Sequence, residues 1–117
     1  MAVIGFRGKA ASSEVQFFRT YNLTGGDIDG TTISSTVNPT LLAPDGHNWF
    51  GQGFYFQPDT TGDVVALSYQ DWELNGRVVN DSLAQTLPAC AAGIFHPTRV
   101  VKIYQTGTDS VNISLGV

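Results

Sequence analysis

The sequence predicts an all-β protein: an antiparallel β-sandwich or jelly roll of about seven or eight strands, with an extended N-terminal arm. Three observations predict this fold class. The chain is rich in Gly, Thr, Ser and Asn, short segments alternate between apolar and polar residues, and turn signals separate these segments. No amphipathic run is long enough for a substantial helix.

The length of 117 residues fits a single domain, which we place at residues 14–117 after an arm of residues 1–13. The arm ends in small residues without periodicity, and its apolar Val3, Ile4 and Phe6 need a partner. Only 14% of the residues are charged, which for a chain that is 42% hydrophobic indicates a surface covered by another molecule.

Charge is distributed unevenly along the chain. The arm holds two basic residues, Arg7 and Lys9, and no acidic one, whereas the body holds four basic and ten acidic residues. The net charge of −4 argues against nucleic acid as a partner. A basic arm on an acidic body suits docking onto an acidic protein neighbour.

The first half of the body predicts strands joined by turns. Apolar residues alternate from Glu14 to Tyr21, which indicates a strand, and the β-branched residues 31–37 indicate another. Residues 25–30, which include Asp-Ile-Asp-Gly, are turn chemistry, because a calcium loop would need further oxygen ligands. Residues 41–48 are predicted as a loop.

An aromatic strand is predicted at residues 49–57. Its aromatic residues fall on both faces, so the strand should be covered twice; they are Trp49, Phe50, Phe54, Tyr55 and Phe56. Gly51 and Gly53 share a face and predict a flat spot that another segment approaches closely.

The second half predicts a strand at residues 63–69 and two hairpins. The first hairpin pairs Trp72–Leu74 with Arg77–Val79 across Asn75-Gly76, since both residues tolerate the positive φ of a type I′ turn. The second pairs residues 99–105 with residues 110–115. Between them, residues 82–92 suggest one helical turn followed by a crossing segment, and residues 94–97 suggest a short edge strand.

We find no constellation that predicts an enzyme, a cofactor or a metal site. His47 and His96 lie too far apart for a two-histidine metal motif, and no Gly-x-Ser-x-Gly elbow is present. Asp71 and Glu73 share a predicted strand face but are better interpreted as solvated carboxylates. Cys90 is most simply a small buried hydrophobe.

The rings of Trp49, Tyr55 and Trp72 allow two interpretations. They could form a sugar-stacking platform, or they could pack in the core or anchor a subunit interface. We favour the second, because rings in so small a domain are usually buried.

Two segments resemble small virion proteins of tailed phages and gene-transfer agents. They are Pro-Asp-Thr-Thr-Gly-Asp-Val-Val at residues 58–65, and residues 93–108 with their Gly-x-x-x-Pro approach, Val-x-x-Ile strand and closing Thr-Gly-Thr. The resemblance covers about half the chain and does not include the aromatic segment at 49–56 or residues 82–92. It implies a small β-sandwich on a virion surface, as in head-spike bases; similar small all-β proteins serve as capsid cement.

We therefore expect a structural virion protein, a cement or decoration protein that binds the outer surface of the major capsid shell. The alternative is a head-spike base or tail-associated module that anchors a receptor-binding fibre or binds host polysaccharide. Expected partners are the major capsid protein, other virion proteins and copies of the chain itself, with a trimer favoured. With neither a secretory signal nor a membrane span, we expect synthesis in the host cytoplasm and location on the virion head. The candidate partner-binding residues are Val3, Ile4, Phe6, Arg7, Trp49, Phe50, Tyr55 and Trp72.

Overall fold

A computed structural model describes residues 17–31 and 51–117 of the protein. The predicted arm, the loop at 41–48 and all but the first residue of the strand predicted at 31–37 lie outside these ranges. The described strands are β1 (Phe17–Asn22), β2 (Ile28–Asp29), β3 (Tyr55–Pro58), β4 (Gly62–Ser68), β5 (Gln85–Cys90), β6 (Val100–Tyr104) and β7 (Asn112–Gly116). The described helices are α1 (Tyr69–Leu74) and two 3-10 helices, Leu23–Gly25 and Asp81–Leu83.

The strands form two antiparallel sheets, which confirms the predicted all-β class. One sheet has the order β1-β7-β3 and the other the order β2-β6-β4-β5. The predicted strands at residues 14–21, 63–69 and 99–105 correspond to β1, β4 and β6. Alternation between apolar and polar residues predicted these three strands.

The predicted C-terminal hairpin is wrong, although both of its strands exist. β6 pairs with β2 and β4, whereas β7 pairs with β1 and β3 in the other sheet. The connection between them binds elsewhere: the Asp109 N–H donates to the carbonyl of Asp63 at 2.9 Å, and the Ser110 hydroxyl meets Asp59. These bonds hold the connection against the start of β4 and against the turn between β3 and β4. From there the chain enters the other sheet as β7.

The predicted hairpin around Asn75-Gly76 is also wrong, because residues 69–74 form α1. The Ser68 hydroxyl caps the helix by accepting from the Asp71 N–H at 3.1 Å. At the other end, the Arg77 N–H donates to the Trp72 carbonyl and the Gly76 N–H to the Glu73 carbonyl, which is a Schellman motif. The positive φ values of Gly76 and Arg77 therefore end a helix instead of turning a hairpin.

The aromatic segment is a strand only from Tyr55 to Pro58. Gly51 and Gly53 have φ values of 76° and 79°, so the chain turns before the strand begins, and Phe54 makes a single bridge to Val100. The predicted close approach is confirmed at Gly53, where an added Cβ would lie 2.8 Å from Cγ of Arg99.

Two other segments border the sheets. Residues 82–92 are predicted as one helical turn followed by a crossing segment; they contain the end of the second 3-10 helix, followed by β5, which is an edge strand of the four-stranded sheet. Residues 94–97 are not a strand, but the segment still follows the edge of β3. There the His96 N–H donates to the Phe56 carbonyl at 2.8 Å and the Gly93 N–H to the Pro58 carbonyl at 3.0 Å.

The four-stranded sheet carries an apolar cluster on each face. The larger cluster takes buried side chains from both sheets, including Phe56, Ala66 and Leu115. Leu67, adjacent to Ala66, points to the opposite face and packs with Tyr69, Trp72 and Val101. The register of β6 against β4 shifts at Leu67/Ser68, which leaves Val101 unpaired and allows it to join this second cluster.

The strand registers define two ends of the molecule. At the corner end lie the turn between β3 and β4, residues 92–94 and residues 106–111. At the opposite end, which we call the α1 end, β4 runs into α1 and β1 begins opposite Gly116. Thr31 and Gly51, where the described segments stop and resume, also lie at this end, because the Gly51 N–H donates to the Gly30 carbonyl.

Candidate functional site

The predicted partner-binding residues fall into two groups. Tyr55 and Trp72 are described and are buried, with exposed fractions of 6% and 4%. A sugar-stacking platform needs open ring faces, which neither ring offers. The others lie outside the described residues: Val3, Ile4, Phe6, Arg7, Trp49 and Phe50.

Trp72 and Tyr69 form an aromatic pair with arginines around it. Both rings lie on the buried face of α1, at a centroid distance of 5.7 Å. The Arg77 guanidinium lies 5.3 Å from the Trp72 centroid, and it also pairs with Glu73 at 3.5 Å. The indole N–H of Trp72 is buried without a hydrogen-bond partner.

Arg99 lies on the other side of Tyr69. Its guanidinium carbon is 3.9 Å from the Tyr69 ring centroid, a close cation–π stack. The Tyr69 N–H donates to the Arg99 carbonyl at 2.9 Å, which joins the start of α1 to the segment before β6. Nε of Arg99 is buried and has no hydrogen-bond partner.

A cleft of ≈ 420 Å³ opens beside Arg99 at the α1 end. Its floor includes Ala66 and Val100 of the core, and its polar wall includes Arg99, Asp71 and Gln85. The Gln85 side-chain amide donates to Oδ2 of Asp71 at 3.1 Å, which bridges β5 and α1 across the cleft. The volume lies within the range of about 300–1,000 Å³ that is usual for small-ligand sites.

The other polar clusters hold the fold together. At the corner end, the Ser110 hydroxyl donates to Asp59 and accepts from the N–H groups of Asp59 and Thr60, each at 3.0 Å. These bonds fix the connection between the sheets. On the four-stranded sheet, Asp81 accepts from Tyr104 and Lys102 and thereby fastens the second 3-10 helix.

Cys90 is buried and His96 is partly buried, and neither lines the cleft. The His96 ring stacks on Phe56 at 5.1 Å, its Nδ1 accepts from the Thr98 N–H, and burial lowers its pKa. Cys90 lies in the larger core cluster, which confirms that it packs as a small hydrophobe. Burial and the charge of Asp63 raise the pKa of its thiol, so the reactive thiolate is disfavoured.

Exposed apolar side chains occur at both ends of the molecule. Leu74 and Val78 are 78% and 61% exposed at the α1 end. Ile94 and Val111 are 52% and 48% exposed at the corner end. They provide a matched pair of surfaces of similar chemistry.

No feature of the sequence marks Arg99 as a site residue. It was expected to begin an alternating strand, which leaves its side chain without a specific role. The cleft brings together residues 71, 85 and 99, which are distant in the chain, and only the pairing of β4 with both β5 and β6 makes them neighbours.

A metal site, a membrane-spanning helix or a likeness to known proteins would each bear on the identity of this chain. In residues 17–31 and 51–117, no three His, Cys, Asp or Glu side chains are grouped so that they could hold a metal ion. Over the same ranges, no helix is long and apolar enough to cross a membrane. Comparison of the chain with known protein families, with curated proteins and with solved structures finds no match.

Proposed function

We propose that this chain is a structural virion protein of a tailed bacteriophage, a cement or decoration protein that binds the outer surface of the capsid shell. In this proposal its two sheets form a β-sandwich, and its N-terminal arm extends onto a neighbouring subunit. The resemblance of residues 58–65 and 93–108 to small virion proteins supports the phage origin.

The observation that carries the proposal is the composition of the α1 end. Leu74 and Val78 are exposed there, in a chain with few charged residues. The described segments also begin at Phe17, stop at Thr31 and resume at Gly51 at this end. Phe17 and Gly51, the described residues nearest in sequence to the arm and to Trp49-Phe50, therefore lie at the same end of the molecule as these exposed side chains. We take the α1 end as the surface that docks on the shell.

Stabilisation of the shell would come from buried area. A stable protein interface covers about 800 Å² on each partner, more than Leu74 and Val78 supply. The proposal therefore assigns the remaining area to the arm and to Trp49 and Phe50. At about 25 cal/mol per Å² of apolar surface, the same contact repeated over many copies reinforces a shell against internal pressure.

Counting copies per particle tests the proposed role. Particles made from the genome that encodes the chain would be purified, and the ratio of this chain to the major capsid subunit would be measured by quantitative mass spectrometry. A cement protein should occur in proportion to the shell subunits. A few copies per particle would instead support the spike-base or tail-associated role, and absence from particles would refute a virion role.

Paired surface variants test the docking end. The double variant Leu74→Ser, Val78→Ser and a deletion of residues 2–13 should each lower occupancy on particles that lack the wild-type chain. The matched control is Ile94→Ser, Val111→Ser at the corner end, which should bind as the wild type does. Equal occupancy for both double variants would refute the α1 end as the docking surface.

A further inference from the structure

Arg99 differs from the other cations whose side chains the structure describes. Arg77 pairs with Glu73 and Lys102 pairs with Asp81, at 3.5 Å and 3.2 Å. Within residues 17–31 and 51–117, Arg99 has no ion pair, and its buried Nε has no hydrogen-bond partner. Arg99 also lines the cleft. Because a buried donor without a partner is costly, the guanidinium would be stabilised by an acceptor that enters the cleft and reaches its N–H groups.

The guanidinium of Arg99 is held ready for such an acceptor. Tyr69 supports it from one side at 3.9 Å, and the side-chain stem lies against Gly53, where a Cβ would come within 2.8 Å of Cγ. Because the side chain is already ordered, binding a ligand costs little further side-chain entropy. The planar fork of an arginine matches the two oxygens of a carboxylate.

Asp71 restricts what can enter the cleft. One of its oxygens accepts from Gln85, and the carboxylate stands in the same cleft as Arg99 without forming an ion pair with it. A ligand with one negative charge and a neighbouring N–H would satisfy both residues, with its carboxylate on Arg99 and its N–H on Asp71. A dianion would be repelled by Asp71.

We infer that the Arg99 cleft binds a carboxylate of a peptide, supplied by the protein on which the α1 end docks. The inference rests on the proposed function for the identity of that protein, but the chemistry of the cleft stands independently of it. Either an Asp or Glu side chain or a chain terminus could supply the carboxylate. In each case a backbone N–H lies within a few bonds of the carboxylate and is the donor that would face Asp71.

A peptide fits the cleft better than a saccharide. Sugar sites generally offer an open aromatic face, but the rings nearest the cleft, Tyr69 and Trp72, are buried, and Arg99 occupies one face of Tyr69. A single unpaired arginine also matches one carboxylate and not a chain of phosphates.

Titration of the isotopically labelled full chain tests the cleft directly, with the Arg99 side-chain Nε–H resonance as the readout. The probe is acetyl-Gly-Glu-Gly-amide, and its matched control is acetyl-Gly-Gln-Gly-amide, which lacks only the charge. The glutamate peptide should shift the resonance in a saturable way, and the glutamine peptide should not. Acetyl-Gly-Gly with a free carboxylate distinguishes a chain terminus from a side chain as the source.

Variants decide whether Arg99 is responsible. Arg99→Gln should lower the affinity for the carboxylate peptide about tenfold or more, and Arg99→Lys, which keeps the charge and the stem, should lower it less. Arg77→Gln, which changes an arginine already paired with Glu73, should bind as the wild type does. Saturable binding of glucuronate without binding of either carboxylate peptide would overturn the inference in favour of a saccharide.

Particle binding separates this inference from the proposed function. If Arg99→Gln lowers occupancy on particles as Leu74→Ser, Val78→Ser does, both are supported. If Arg99→Gln binds normally while that double variant does not, the cleft inference fails and the docking surface remains. If every variant binds normally, the proposed docking end fails, and the peptide titration still decides the chemistry of the cleft.

Discussion

The Tyr104 hydroxyl donates a 2.7 Å hydrogen bond to Asp81, across the outer face of the four-stranded sheet. The Lys102 ammonium group lies 3.2 Å from the same carboxylate oxygen. One exposed aspartate thus ties the connection after α1 to β6. The hydrogen bond from Tyr104, followed by the hydrogen bond and charge of Lys102, lowers the pKa of Asp81.

This contact should make stability depend on pH. Because the pKa of Asp81 is lower in the folded chain than its ordinary value of 3.8, its contribution is present above that value and is lost as the pH falls through the folded pKa. The difference in Tm between wild type and Asp81→Asn should therefore be largest at about pH 6 and should shrink toward about pH 2. Thermal unfolding followed by circular dichroism measures it, and a difference independent of pH would contradict this assignment.

Gly53 should tolerate alanine much less well than Gly76. Both have positive φ, but an added Cβ at Gly53 would lie 2.8 Å from Cγ of Arg99 and 3.0 Å from Tyr69, whereas Gly76 faces open space. We expect Gly53→Ala to cost about 2–4 kcal/mol of unfolding free energy, from backbone strain and overpacking together. Gly76→Ala carries only the strain of about 1 kcal/mol. Urea unfolding compares the two, and equal costs would show that Arg99 can move aside.

Ser110→Ala should destabilise the corner between the sheets. The hydroxyl is buried and accepts from the Asp59 and Thr60 N–H groups, and its removal leaves the Thr60 N–H without this acceptor. We expect a cost of about 2 kcal/mol in urea unfolding. Ser114→Ala is the control, since among the described residues its hydroxyl bonds only to the exposed Thr20 hydroxyl, and we expect about 0.5 kcal/mol or less. A cost for Ser110→Ala no larger than the control would mean that water replaces the hydroxyl.

Local pattern predicted the strands well but not their partners. The alternation in β6 and β7 reports which residues are buried, and this is the same for strands in one sheet or in two. β6 and β7 are placed in different sheets by hydrogen bonds that join Asp109 to Asp63 and Ser110 to Asp59. These partners are 46 and 51 positions apart in the chain. Sequence alone does not show which of many Asp and Ser residues make such long-range contacts.

The same limit explains the helix and the cleft. Gly76 has a positive φ, which a type I′ hairpin and a Schellman motif both use. The Ser68 cap, together with the burial of Tyr69 and Trp72 on one face, favours the helix. Trp72 is a predicted partner-binding residue, but its ring is buried within the chain against Leu67 and Val101. Arg99 gains its role only from Tyr69, Gly53 and Asp71, none of which is near it in sequence.

Cys90 offers a measure of how often the β5 edge opens. The thiol is buried, donates to the Leu87 carbonyl at 3.3 Å, and has a pKa raised first by burial and then by the charge of Asp63. Because the thiolate is the species that reacts, alkylation in native buffer should be at least about 100-fold slower than in denaturing urea. Cys90 is the only cysteine, so mass spectrometry of the alkylated chain reports this site alone. A native alkylation rate within a few-fold of the unfolded rate would mean that β5 separates readily from β4. Because β5 contributes Gln85 to the wall of the Arg99 cleft, that wall would then also open and close rapidly.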